Sequence, residues 1–174
     1  MQIVLGVTGS IAAYKAAELA RLMVKEGWPV RVVMTPDATR FITPLTMQTL
    51  SRNPVGVSMF DPPREWKPEH IALSEFADAF VIAPATANTI AKLAHGIADN
   101  LLTAAALACP VPLVIAPAMN DEMYDHPATR ENIRVLKERG AIFVDPETGD
   151  LACGREGRGR MADPATILDA VRNL

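Results

Sequence analysis

Two short motifs in this sequence combine chemically capable residues with a position that exposes them. Pro117-Ala118-Met119-Asn120 follows an apolar run over residues 111–116. Ala152-Cys153-Gly154-Arg155-Glu156-Gly157-Arg158-Gly159-Arg160-Met161 follows a second run, over 141–144. Short apolar runs of this kind read as buried parallel strands, and open α/β sheets bind ligands just beyond the carboxyl ends of such strands. Asn120 offers a carboxylate or amide both a donor and an acceptor. An N-cap for a following turn is its alternative use. Cys153 has Arg155, Arg158 and Arg160 close by in sequence, and cationic neighbours bring a thiol into its reactive range. The alternative, a small buried residue, suits Cys109 in its apolar surroundings better.

Three further segments occupy comparable positions. Gly6-Val7-Thr8-Gly9-Ser10 lies between a strand and a helix. Glycine lets backbone approach a ligand, and the helix start offers N–H groups to an anion. The spacing is neither G-x-G-x-x-G nor a Walker loop, so a phosphate is indicated without a choice of nucleotide. Thr35, just past the second strand, is within reach of the same phosphate, whereas Thr39 reads better as a cap. In Pro84-Ala85-Thr86-Ala87-Asn88-Thr89, small residues admit a flat ring, and Thr86, Asn88 and Thr89 supply polar groups. A capped helix start is the alternative there. His70 opens a helical stretch, where the positive end of the dipole favours the neutral imidazole that a general base needs. An exposed cap is its alternative. His95 and His126 read as structural, and no spacing of His, Cys, Asp and Glu suggests a metal site.

The elements that hold these motifs alternate. Strands are expected over residues 3–7, 30–34, 55–59, 80–83, 113–116 and 142–144. Helices are expected over 11–26, 45–51, 71–76, 88–95, 101–107, 128–139 and 164–171. This rhythm predicts an α/β fold, a three-layer, doubly wound parallel sheet. In the first helix Ile11, Leu19, Leu22 and Met23 share an apolar face, with Lys15, Glu18 and Arg21 toward water. Gly27 and Gly140 are placed as helix ends, and Asp163-Pro164 as a helix start.

With 174 residues and 49% hydrophobic composition, the chain reads as one domain with a full core. A net charge of −3 gives no reason to expect nucleic acid or an anionic membrane. Two cysteines make no disulfide framework. No apolar run reaches membrane-spanning length, and 1–7 is too short and lacks the cationic flank of a signal peptide. A cytoplasmic setting is expected.

Taken together, GVTGS, the histidine ahead of strand 80–83, ATANT, PAMN and ACGREGRGRM resemble the FMN-dependent cysteine decarboxylase family, over nearly the whole chain. The resemblance implies a Rossmann-like or flavodoxin-like fold with residues 1–174 as one FMN-binding domain. It also implies a homotrimer or a dodecamer of four trimers, with FMN near subunit interfaces. Gly9, Ser10, Ile11 and Thr35 would hold the FMN phosphate end. Thr86, Ala87, Asn88 and Thr89 would hold the ribityl and flavin portion, with Ala118 lining the ring. His70 would be the base, acting on flavin held mainly by a neighbouring subunit. Asn120 would grip the substrate's cysteine carboxylate. Cys153 would be the acid of the last step, on a flap that Arg160 and Met161 help to close.

The member most alike acts in coenzyme A biosynthesis, on 4′-phosphopantothenoyl-cysteine. Direct loss of CO₂ from cysteine would leave an unstabilised carbanion. Oxidation of the C–S unit by FMN gives a thioaldehyde, an electron sink. Decarboxylation then yields an enethiolate, to which hydride and the Cys153 proton are returned. A peptidyl-cysteine decarboxylase would run only the oxidative half and has no need of Cys153. A flavin prenyltransferase lacks PAMN and the ACGREGRGRM pattern, and a regulatory flavin-binding relative would carry acidic extensions. Relatives fused to a ligase also exist, so a free-standing enzyme and one part of a longer protein both stay open.

Overall fold

The computed structural model describes residues 1–62, 66–150, 154 and 156–174. Five parallel strands run through its centre: β1 (Ile3–Val7), β2 (Val30–Met34), β3 (Ala79–Ala85), β4 (Leu113–Pro117) and β5 (Ile142–Phe143). They hydrogen-bond in the order β2-β1-β3-β4-β5. Side chains alternate across a strand, so Ile3, Leu5 and Val7 enter one core while Val4 enters the other. Ala79, Val81 and Ala83 divide from Phe80 and Ile82 in the same way.

Helices cover both faces. Leu19 and Met23 of α1 (Ala13–Lys25), Met47 of α2 (Pro44–Ser51) and Ile167 of α8 (Pro164–Arg172) fill the first core. Leu73 of α3 (Glu69–Phe76), Ile90 of α4 (Ala87–His95), Leu102 of α5 (Leu101–Ala108) and Ile133 of α7 (Pro127–Glu138) fill the second. The result is the three-layer, flavodoxin-like α/β fold expected from the strand–helix rhythm. Gly27 and Gly140 end their helices at φ of 79° and 93°, a region that a side chain disfavours. The Asp163 carboxylate accepts the Ala165 N–H at 2.9 Å and caps α8.

Four features differ from the sequence expectation. No strand forms over 55–59: Gly56 alone makes a parallel bridge, to Val33. Pro54 supplies no N–H ahead of it, and a Cβ at Gly56 would stand 2.8 Å from Leu101. Beyond it the Asp61 carboxylate accepts the Ser58 N–H at 3.2 Å and turns the chain.

The second difference lies at the start of α1. The helix begins at Ala13, so Ile11 precedes it and is exposed, while Lys15 is buried rather than turned to water. The burial of Lys15 has a specific partner, because its Nζ donates to the Met161 carbonyl at 3.1 Å.

The third difference is an antiparallel hairpin of β6 (Glu147–Asp150) and β7 (Glu156–Arg160). Its glycine-rich second arm reads locally as a loop. It becomes a strand by pairing with β6. The fourth is a five-residue helix, α6 (Asp121–Asp125), capped by Asn120 where only a turn was expected.

Candidate functional site

Beyond the carboxyl ends of the strands, the loops enclose a cavity of about 1010 Å³. The β1–α1 loop brings Gly9, Ser10 and Ile11, and Thr35 follows β2. The β3–α4 connection brings Thr86, with Ala87, Asn88 and Thr89 in the first turn of α4. Ala118 and Asn120 follow β4, and Arg160 and Met161 border the cavity from the end of β7. Every binding residue expected from sequence therefore lines this one space. It forms where the strand order reverses, between β1 and β3, because connections leaving such a switch point diverge to opposite faces and open a crevice.

Several lining residues also cap local structure. Ser10 Oγ accepts the Ala12 N–H at 3.3 Å, and Thr35 Oγ1 accepts that of Ala38 at 3.3 Å. Thr86 Oγ1 caps α4 by accepting the Thr89 N–H at 3.3 Å and donates to Thr89 Oγ1 at 3.3 Å. Asn120 Oδ1 accepts the Glu122 N–H at 3.0 Å. The capping alternatives are thus realised without withdrawing these residues from the cavity. Gly9 has a steric reason to lack a side chain, since a Cβ there would lie 2.6 Å from Asp37 Cβ.

The two motifs that stand far apart in sequence meet here. The Met119 N–H donates to the Gly159 carbonyl at 3.0 Å. A Cβ on Gly159 would sit 2.1 Å from the Met119 oxygen, and one on Gly157 2.7 Å from Asp121 Oδ2. The glycines of β7 therefore let the hairpin lie directly on the PAMN loop and α6. On the outer side Arg158 approaches Asp145 at 3.3 Å and lies over the Tyr124 ring, 5.4 Å from its centroid.

His70, in the first turn of α3, is not on the cavity wall of its own chain. Cys153 lies outside the described residues. Sequence reasoning missed Lys15, whose burial and proximity to the Arg160 guanidinium push its ammonium below the usual lysine range, with Glu147, Asp163 and Glu18 opposing. It also missed the Lys92–Asp99 pair, 2.6 Å apart on the cavity wall. Lys15 carried no local signal, since a lysine in an amphipathic helix reads as solvated. Lys92 and Asp99 stand on different sides of a helix end, and only the turn at Gly96 joins them.

Comparison with known proteins gives this geometry its relatives. A family model described as Flavoprotein matches residues 1–174. The probable phosphopantothenoylcysteine decarboxylase of Streptococcus mutans is 49% identical over 172 residues, covering 98% of this chain and 96% of that protein. The coenzyme A biosynthesis bifunctional protein CoaBC of Haemophilus influenzae is 47% identical over 172 residues, covering 99% of this chain but 43% of that protein. The chain thus spans less than half the length of the bifunctional relative. Among solved structures, a PPC decarboxylase variant complexed with pantothenoylaminoethenethiol superposes with a TM-score of 0.86 at 34% identity, covering 99% of this chain and 96% of that one. The FMN binding protein AtHal3 superposes with a TM-score of 0.84 at 34% identity, covering 99% and 95%. With a family model matched from end to end and an overall architecture shared with these structures, the chain belongs to the Flavoprotein family.

Proposed function

We propose that this chain catalyses the FMN-dependent decarboxylation of 4′-phosphopantothenoyl-L-cysteine to 4′-phosphopantetheine, a step of coenzyme A biosynthesis, in the cytoplasm. Residues 1–174 would act as one FMN-binding domain. The observation that carries the reading is the strand-end cavity, on which the GVTGS loop, the ATANT segment, PAMN and the GRGRM arm all converge. The names of the relatives supply the substrate.

The residues present fit a flavin mononucleotide. The cavity, about 1010 Å³, lies at the upper end of the roughly 300–1,000 Å³ of small-molecule sites, with room for a cofactor and the reacting part of a substrate. Ser10 takes the Ala12 and Ala13 N–H groups, while the first residues of α1 line the cavity, so the positive end of its dipole would favour a phosphate held by Gly9, Ser10, Ile11 and Thr35. Ala87 and Ala118 leave space for a flat ring, beside Thr86, Asn88 and Thr89. When bound, FMN supplies a hydride acceptor and donor that makes loss of CO₂ redox-neutral overall.

The chain's own residues would then divide the work. Asn120, whose Oδ1 is held by the Glu122 N–H, would bind the substrate carboxylate. His70 would take a proton from the substrate in the oxidative half, and Cys153 would return one to carbon in the reductive half. Arg160 and Met161 would exclude water along the hairpin side. His70 stands away from its own chain's cavity, and this supports action at a neighbour's. Self-association as a homotrimer or dodecamer follows from that arrangement. It is supported by exposed Ile11, Tyr14 and Met123, which stand together around the cavity, since clustered exposed apolar groups mark contact surfaces.

The test is mass spectrometry of purified protein mixed with FMN and 4′-phosphopantothenoyl-cysteine. The expected product is 4′-phosphopantetheine. Accumulation of the aminoethenethiol instead would mean that the oxidative half alone operates. A flavin-loaded protein that leaves the substrate unchanged would overturn the reading.

A further inference from the structure

The loops around the cavity are stitched to one another by hydrogen bonds that follow the strand order. The Thr35 N–H donates to the Val7 carbonyl at 3.0 Å, tying the end of β2 to that of β1. The Ala118 N–H donates to the Ala85 carbonyl at 3.0 Å, tying β4 to β3. The Met119 N–H donates to the Gly159 carbonyl, tying β4 to the hairpin. Each of these is main chain to main chain. Between β1 and β3 the paired register ends at Gly6 and Ile82, short of the loops that line the cavity. There a side chain takes over. Thr8 is fully buried, its hydroxyl donates to the Pro84 carbonyl at 2.7 Å, and its oxygen accepts the Thr86 N–H at 3.0 Å.

We infer that Thr8 is a positioning residue for the cofactor: its hydroxyl sets the spacing between the phosphate loop, residues 9–11, and the ring loop, residues 86–89. The inference rests on the reading of the cavity as an FMN site. Thr8 precedes Gly9 directly, and its acceptor contact is to the backbone of Thr86 itself, so it links the residue just ahead of one loop to the first residue of the other. The two loops leave the sheet at the switch point, where their chains diverge and no main-chain pair connects them among the described residues. A ligand spanning both loops needs their separation set in advance, and a buried hydroxyl with both functions used is a stiff spacer. The hydroxyl also supplies a partner to the Pro84 carbonyl and to the Thr86 N–H, both close behind the cavity wall that Thr86 helps to form.

The test compares FMN dissociation constants, read from flavin fluorescence, for wild type, Thr8→Val and Thr8→Ser, with the thermal midpoint of each FMN-free protein. Valine keeps the shape and removes the hydroxyl, whereas serine keeps the hydroxyl. Thr8→Val is expected to bind FMN about tenfold more weakly, equivalent to about 1.4 kcal/mol. Thr8→Ser is expected to bind within about twofold of wild type, even where its thermal midpoint falls. If Thr8→Val binds FMN as wild type does while only its midpoint drops, the residue is a core packing group and the inference fails. If Thr8→Val does not fold, Thr8→Ala against Thr8→Ser makes the same comparison, and equal affinities would refute the role. Absence of FMN binding by wild type would instead overturn the functional reading, and the positioning role with it.

Discussion

His70 carries the sharpest consequence of any single side chain. It is half-buried in the first turn of α3 and outside its own chain's cavity, so replacing it leaves the proposed FMN contacts of that chain untouched. His70→Asn is expected to retain FMN and to lose reduction of the flavin by substrate. Anaerobic mixing with 4′-phosphopantothenoyl-cysteine, followed at the flavin absorbance band, checks this, and bleaching at the wild-type rate would remove His70 from the chemistry. Lys15 shows how residue type misleads. Its periodicity assigns it to water, yet its ammonium meets the Met161 carbonyl inside the protein. A long stem that packs while its tip finds an acceptor is within lysine's range, but no local pattern announces the acceptor, 146 residues away in sequence.

The contact between PAMN and β7 depends on an element having no side chain at one point. A methyl group on Gly159 would meet the Met119 carbonyl at 2.1 Å, and that atom belongs to backbone that β4 holds in place. Gly159→Ala is expected to push the hairpin off the PAMN loop and to lower stability by about 1–3 kcal/mol, the usual range for overpacking. Denaturant unfolding measures this, and an unchanged midpoint would show that the hairpin shifts at no cost.

The contact of α1 with α8 ends in an ion pair that predicts a pH dependence. Arg172 Nη2 and Nε meet the two Glu26 carboxylate oxygens at 2.6 and 3.1 Å. The hydrogen bond from Arg172 holds the Glu26 carboxyl below the usual glutamate range, against an opposing desolvation and with the guanidinium charge adding to it. A depressed folded-state pKa stabilises above the ordinary glutamate value, and that contribution is lost as pH falls through the folded value. Arg172→Met should therefore flatten the acid limb of stability against pH. The difference from wild type should shrink in high salt, because the pair is exposed. Urea midpoints across that limb at two ionic strengths decide it.

For the molecule as a whole, the functional reading requires more than one chain, since the base of each cavity would come from a neighbour. Sedimentation equilibrium is expected to give three chains or a multiple of three. A strictly monomeric protein that still turns over substrate would place the base elsewhere. No helix among the described residues is long and apolar enough to cross a membrane.

Much of this architecture was legible in the primary structure for local reasons. Apolar runs such as 3–7 and 30–34 can only be buried strands, glycines at 27 and 140 end helices because of their φ, and the cavity loops begin where those runs stop. Gly9, Thr86 and Asn120 were legible as cavity-lining residues because they stand in loops just beyond strand ends, where an open α/β sheet forms its crevice. The strand expected at 55–59 shrinks to the single bridge at Gly56, because just beyond it the Asp61 carboxylate turns the chain at Ser58. The order β2-β1-β3-β4-β5, the turn of a glycine-rich segment into β7, the burial of Lys15 and the bridging of two loops by Thr8 were not legible. Each depends on a partner far away in the chain, and side-chain patterning within a window of a few residues carries no information about which distant group will complete a hydrogen bond. Types and periods along the chain therefore decide which elements form and which loops face the ligand. The distances between those loops are decided by long-range contacts that exist only once the sheet has closed.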